Sequence, residues 1–148
     1  MARRPEPVKK TTPEILQDLR DGHREADIVG PAQALKFLER TQESQHSLPN
    51  AVKCFLFDLL ADTRARLGDW EGCDAAVKGA LANLAAAEAD LGAELKRSLP
   101  TMALFERGIQ ARTELGDFHG ALELCDEAVR RGLGAHFEAK RDSLDWAR

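Results

Sequence analysis

The chain has no tyrosine, 5% aromatic residues in all, and three cysteines among 148 positions. Each shortage excludes something. With so few rings, alanine and leucine have to fill the core, which favours closely packed helices over sheets. Cys54, Cys73 and Cys125 are odd in number and widely spaced, which is neither a disulfide framework nor a zinc-ligand pattern; reduced, buried thiols are expected. No stretch approaches the ~20 apolar residues that cross a bilayer, and the N-terminal stretch lacks the apolar core of a signal peptide. A cytoplasmic protein with no membrane partner is expected. No alternating strand pattern occurs, and no ordered glycine cluster suited to cradling phosphate.

What is present is an ordinary globular balance, 43% hydrophobic and 31% charged residues with a net charge of -4. That length suits one compact domain burying ~70% of the surface its unfolded chain would expose. The acidic balance gives no global attraction for nucleic acid. The one basic concentration is MARRPEPVKK, where Arg3, Arg4, Lys9 and Lys10 oppose only Glu6. With Pro5, Pro7 and Pro13 it cannot be a regular helix, so residues 1–12 read as a flexible basic leader and 13–148 as the domain. Without an aromatic residue for stacking, the leader is a weak candidate for nucleic-acid binding.

The main organising signal is an echo. LGDWEGCDAAVKGAL at Leu67–Leu81 returns as LGDFHGALELCDEAV at Leu115–Val129, 48 residues later, and upstream SLPNA at Ser47 is answered by SLPTM at Ser98. Each serine is expected to cap a helix that accepts proline in its first turn. Each glycine, Gly68 or Gly116, is expected to end that helix in the left-handed conformation, and the following aspartate to cap the next. Between these marks the spacing is helical: Val52, Phe55, Leu56, Leu59, Leu60, Thr63 and Leu67 form one stripe, and Met102, Phe105, Ile109 and Leu115 another. Trp70, Cys73, Val77, Ala80, Leu81, Leu84, Leu91 and Leu95 continue the pattern along a long helix with a kink or break expected around Gly92. Phe118, Ala121, Leu122, Cys125, Ala128 and Val129 do the same after the second turn.

A weaker copy comes first, because IVGPAQALKFLER can be laid over LGDFHGALELCDE, with Gly30-Pro31 as a helix stop and start. Before it, Ile15, Leu16 and Leu19 share one side of a helix with Thr12 as its expected cap. Three helical hairpins result, at about 13–46, 48–97 and 99–132, followed by a capping helix at 134–147 that carries Phe137, Leu144 and Trp146. The fold class expected is all-α, with about seven helices. Trp146 is open to packing on its own chain or on a neighbour's, which leaves homo-oligomerisation open.

These residues resemble the tetratricopeptide repeat family, whose hairpins place a Gly-Asp or similar turn before an aromatic residue and then small alanines where helices approach. Gly68, Asp69, Trp70 and Ala80 fit that half of the pattern, as do Gly116, Asp117, Phe118, Ala121 and Ala128. The family period is ~34 residues, so copies 48 apart imply extended hairpins, chiefly a longer helix from Asp69 toward Lys96. Leu60-Ala61 and Gly108-Ile109 replace the usual Leu-Gly pair, and Cys73 stands where a small alanine is expected.

The resemblance implies a non-catalytic protein-interaction module whose first helices line a concave face. Carrying over the family's ligand-facing positions gives Asp58, Asp62 and Arg66 from one hairpin and Glu106, Gln110 and Glu114 from the next. Such a mainly acidic surface suits a protein or peptide of basic or mixed charge. No enzyme signature accompanies it. His23, His46, His119 and His136 are scattered, no carboxylate pair is singled out by an apolar setting, and no cofactor or metal is expected. The alternatives are a nucleic-acid-associated regulator acting through the basic leader and a thiol-based redox module in which Lys53 lowers the pKa of Cys54.

Overall fold

The computed structural model describes residues 10–147, with side chains through Leu144; residues 1–9, most of the basic leader, and the Trp146 side chain lie outside the described residues. The described chain is all-helical: α1 (Thr12–Val29), α2 (Pro31–Glu43), α3 (Asn50–Arg66), α4 (Trp70–Ala82), α5 (Leu84–Leu91), α6 (Ala93–Ser98), α7 (Leu104–Glu114), α8 (Phe118–Arg130) and α9 (Ala135–Ala147). Short 3-10 turns at Gln45–Ser47 and Leu99–Thr101 precede α3 and α7.

The two echoing corners are built identically. Gly68 and Gly116 take φ of 77° and 80°, the left-handed conformation open to a residue without Cβ. The Gly68 and Asp69 N–H groups then reach the carbonyls of Ala65 and Arg64 (3.0 and 2.9 Å), and those of Gly116 and Asp117 reach Thr113 and Arg112 (3.1 and 2.7 Å). This double bond satisfies the last carbonyls of α3 and α7. Asp69 Oδ1 accepts from the Gly72 N–H and Asp117 Oδ1 from the Gly120 N–H, both at 2.9 Å, capping α4 and α8. Arg64 and Arg112 close each corner by donating to the carbonyls of Gly72 (3.2 Å) and Gly120 (2.9 Å). Leu67, Leu115 and Phe118, read as members of buried stripes, are exposed at these corners.

Three local expectations are corrected. The first concerns Asp69 to Lys96, which is not one long helix: α4 stops at Ala82, where Asn83 turns its amide back onto the Gly79 carbonyl at 2.9 Å. An asparagine that bonds nearby backbone competes with the helical ladder. A second break falls at Gly92, with φ of 51°. The helices α4 and α8 are both 13 residues long and in register 48 apart, so the extra length between copies lies in α5, α6 and the turn before α7. Nine α-helices among the described residues therefore replace the expected seven.

The second correction concerns the serines. Ser47 donates to the Ser44 carbonyl at 2.8 Å and α3 begins at Asn50 without a side-chain cap, while Ser98 ends α6 and its carbonyl accepts from Thr101 at 2.7 Å. Proline at 49 and 100 starts a turn or helix, but the Ser47 hydroxyl is spent on the preceding turn and Ser98 lies inside α6 rather than at a cap. The third is α1, capped by Thr11 rather than Thr12: the Thr11 hydroxyl accepts from the Glu14 N–H at 3.4 Å. Thr12 and Pro13 then occupy the first turn, where missing N–H partners cost nothing. The Gly30-Pro31 stop and start occurs as read.

Hairpins α1/α2, α3/α4 and α7/α8 pack in sequence, α3 against α2 and α7 against α4, with α9 covering α8. The first helices also touch one another, α3 lying against both α1 and α7. A single core runs through all three hairpins, from Leu16 and Leu38 through Leu56, Leu60 and Val77 to Leu104 and Phe137. Ion pairs stitch the seams: Arg66 to Asp27 (2.7 Å), Arg107 to Asp62 (2.9 Å) and Arg112 to Asp74 (3.2 Å).

Candidate partner-binding cleft

Two adjoining clefts lie along the first helices. One, of about 470 Å³, is bordered by Asp62 of α3, the segment Pro100–Ala103, and Glu106, Arg107 and Gln110 of α7. The other, of about 150 Å³, is bordered by Arg20 of α1, Phe55, Asp58 and Leu59 of α3, and Thr101 and Met102. Thr101 and Met102 belong to both, so α1, α3 and α7 share one discontinuous groove.

Of the six carried-over positions, three border the larger cleft: Asp62, Glu106 and Gln110. They are not free carboxylates and amides. The Arg107 guanidinium donates to Asp62 Oδ1 and Gln110 Oε1, each at 2.9 Å. Glu106 faces α9, with His136 at 3.3 Å and Lys140 at 3.8 Å. Arg66 is turned to Asp27 of α1 and lines neither cleft. Glu114, in the last turn of α7, is exposed and also lies outside both.

Asp58 does something else. It is buried, 6% exposed, and its Oδ1 accepts from the Leu104 N–H at 2.7 Å. Leu104 opens α7, whose own cap position is Ala103, without a side-chain acceptor. An acidic side chain from α3 thus caps α7, supplying the oxygen acceptor that the first N–H groups of that helix lack. Burial pushes the Asp58 carboxyl up to about 7, and nearby Asp62 adds to this; the Leu104 and Ala103 N–H groups and Arg20 pull the other way. On consecutive turns of α3, Asp58, Asp62 and Arg66 bind α7, α7 and α1, so they are clamps between hairpins as well as candidate contacts.

Residues not read from the sequence complete the groove. Arg20 stacks its guanidinium 4.9 Å from the centre of the Phe55 ring, a cation–π contact at the lip of the smaller cleft. Arg107 is the pivot of the larger one. Its signal was available, since it stands three residues before Gln110 on the same helical stripe. His23, half-buried in the α1–α3 seam, has its pKa lowered by burial against the opposing effect of Asp27 and Asp62.

The thiols are oriented inward. Cys54, Cys73 and Cys125 are fully buried; Cys54 donates to the Ala80 carbonyl at 3.4 Å and Cys73 to the Arg107 carbonyl at 3.6 Å. Burial pushes Cys54 up to about 12 and Cys73 to about 11, and raises Cys125. That is opposite to what thiolate chemistry needs. In the native protein all three should resist a maleimide reagent for hours and react together only on unfolding; rapid modification of Cys54 alone would restore the redox reading.

Among the described residues no three His, Cys, Asp or Glu side chains converge as a metal site, and no helix is long and apolar enough to cross a membrane. The arrangement is thus a stack of helical hairpins bearing a polar groove. No protein-family model, curated protein or solved structure matches the chain.

Proposed function

We propose that this protein is a non-catalytic interaction scaffold of the cytoplasm, a tetratricopeptide-like array of three hairpins that holds a protein or peptide segment along α1, α3 and α7. The observation that carries this reading is the shared groove: α1 lines the smaller cleft, α7 the larger and α3 both, and the two clefts meet at Thr101 and Met102. The packing of each first helix on the second helix of the preceding hairpin supports the family resemblance. Charges at the larger cleft are mixed, Asp62 and Glu106 against Arg107, and suit a partner segment of mixed or basic charge.

The test leaves Asp58 intact, because it caps α7. A photo-crosslinking residue placed at Gln110 should capture a defined partner in cells, and one placed at Lys78, which is exposed on α4, should not. Adding Glu106→Lys should weaken that capture about tenfold, the cost of one unfavourable charge contact. Equal capture from both sites, or none that responds to Glu106→Lys, would remove the groove from consideration.

A further inference from the structure

The smaller cleft has a chemistry of its own. Its base is Asp58, 6% exposed, and its walls are the Phe55 ring, Leu59 and Met102. The Asp58 carboxyl is met by neutral backbone donors, the Leu104 N–H at 2.7 Å and the Ala103 N–H; among the described residues the cation that opposes the cost of its burial is Arg20. At the rim the Thr101 hydroxyl gives its proton to the Ser98 carbonyl at 2.7 Å, which leaves its oxygen free to accept. An acidic base, an aromatic face and an apolar wall are together what a long cationic side chain needs: a counter-charge for the head, a ring for it to stack on and a surface for the stem.

The chain already puts such a group there. The Arg20 guanidinium lies 4.9 Å from the centre of the Phe55 ring, at the cleft lip. Half-buried on α1 and held by a ring face rather than by a carboxylate, it is exchangeable, since a cation–π contact near water is weak. The size agrees: about 150 Å³ is the scale of one side chain, below the ~300–1,000 Å³ of small-molecule sites. The cleft adjoins the larger one at Thr101 and Met102, so an extended segment crossing that border can lower one side chain into it.

We propose that the smaller cleft receives one arginine side chain of the partner segment, its guanidinium between Asp58 and the Phe55 ring in the place that Arg20 keeps in the free protein. Resting on the scaffold reading of the groove, this makes the partner one that carries an accessible arginine. Arginine is preferred to lysine because a planar guanidinium stacks on the ring while donating in its own plane to carboxylate and hydroxyl oxygens. Arg20 is a placeholder: it screens Asp58 in the free protein and competes with the arriving arginine.

The probe is a blocked peptide with glycines on both sides of one arginine, titrated into the full chain labelled at its methionine methyls. Of the two methionines, Met102 lines the cleft, so its methyl reports directly. It should shift and saturate with a Kd of about 1 mM, the affinity of a single side chain. The same peptide with citrulline, the neutral shape-match of arginine, should bind about tenfold more weakly. So should the arginine peptide with Asp58→Asn, which keeps the α7 cap without the charge. Arg20→Gln should instead tighten binding about threefold, the opposite of what lost structure would do. Equal binding of the two peptides, an Asp58→Asn protein that binds like the parent, or an Arg20→Gln protein that binds more weakly overturns the proposal. Partner capture at Gln110 with no Met102 response removes the arginine site and leaves the groove; a Met102 response with no capture supports the arginine site and removes the scaffold reading.

Discussion

Replacing Asp58 by alanine is expected to lower stability by about 3 kcal/mol at pH 5, because the buried N–H at the start of α7 loses its acceptor where water cannot substitute. The loss should depend on pH in a defined direction. The folded-state carboxyl has its pKa raised from 3.8 to about 7, so the native state keeps a proton that the unfolded chain has already released. Stability from this group is therefore fully present below about pH 4 and is lost as pH rises toward 7. Asp58→Ala removes that slope and should cost less at pH 8 than at pH 5. Asp58→Asn keeps a carbonyl oxygen for Leu104 but cannot ionise. It should lack the Asp58 contribution to the slope over pH 4–8 and stay within about 1 kcal/mol of the parent at pH 8. Chemical denaturation of the three proteins at pH 5 and 8 measures all of this. Parallel profiles for Asp58→Asn and the parent would mean that Asp58 is ionised throughout.

A comparable loss is expected at Gly108, in the middle of α7. A Cβ there would meet Leu124 Cδ1 of α8 at 2.7 Å and Val77 Cγ1 of α4 at 2.9 Å, so three helices approach at the width of a missing side chain. Gly108→Val should cost about 3 kcal/mol, since overfilling a packed crossing forces helices apart. Gly108→Ala should cost only about 1 kcal/mol. Its gain in helix propensity offsets part of the crowding, and the end of Leu124 can rotate. Urea midpoints in the order parent, alanine, valine test this; a valine variant as stable as the parent would show that the crossing has room.

The glycine at 108 also shows how far the amino-acid pattern carried. Gly68-Asp69 and Gly116-Asp117 were legible because the turn needs φ above zero and the next helix needs an acceptor, and both requirements fall on adjacent residues. Helix ends were legible wherever the chemistry was that local. The break at Asn83 was not, because the small apolar run on either side is equally compatible with one helix or two. Nor was the cap of α7, whose acceptor lies 46 residues earlier in the chain.

The tetratricopeptide resemblance places Asp58 among the groove residues through its register on α3 alone. A second spacing was present: Ala51, Cys54, Asp58, Ala61 and Ala65 form a stripe of small, buried residues on α3, and an aspartate inside such a stripe is more constrained than one beside it. Register identified the side of the helix for Asp62, Glu106 and Gln110. It could not say that Arg107 and α9 already engage them, because partner choice is a tertiary property.

The position of α3 has a dynamic consequence. It packs against α1, α2, α4, α5 and α7, and its buried residues run almost round its circumference. In an array held only by neighbour-to-neighbour contacts, unfolding can start at either end and advance one hairpin at a time. Here α5, the first helix of the insertion, folds back onto the helix that both outer hairpins already use. Opening of α9 costs one surface, whereas releasing α3 dissolves them all. The α5 contact thus makes α3 a hub, coupling the outer hairpins through one shared helix.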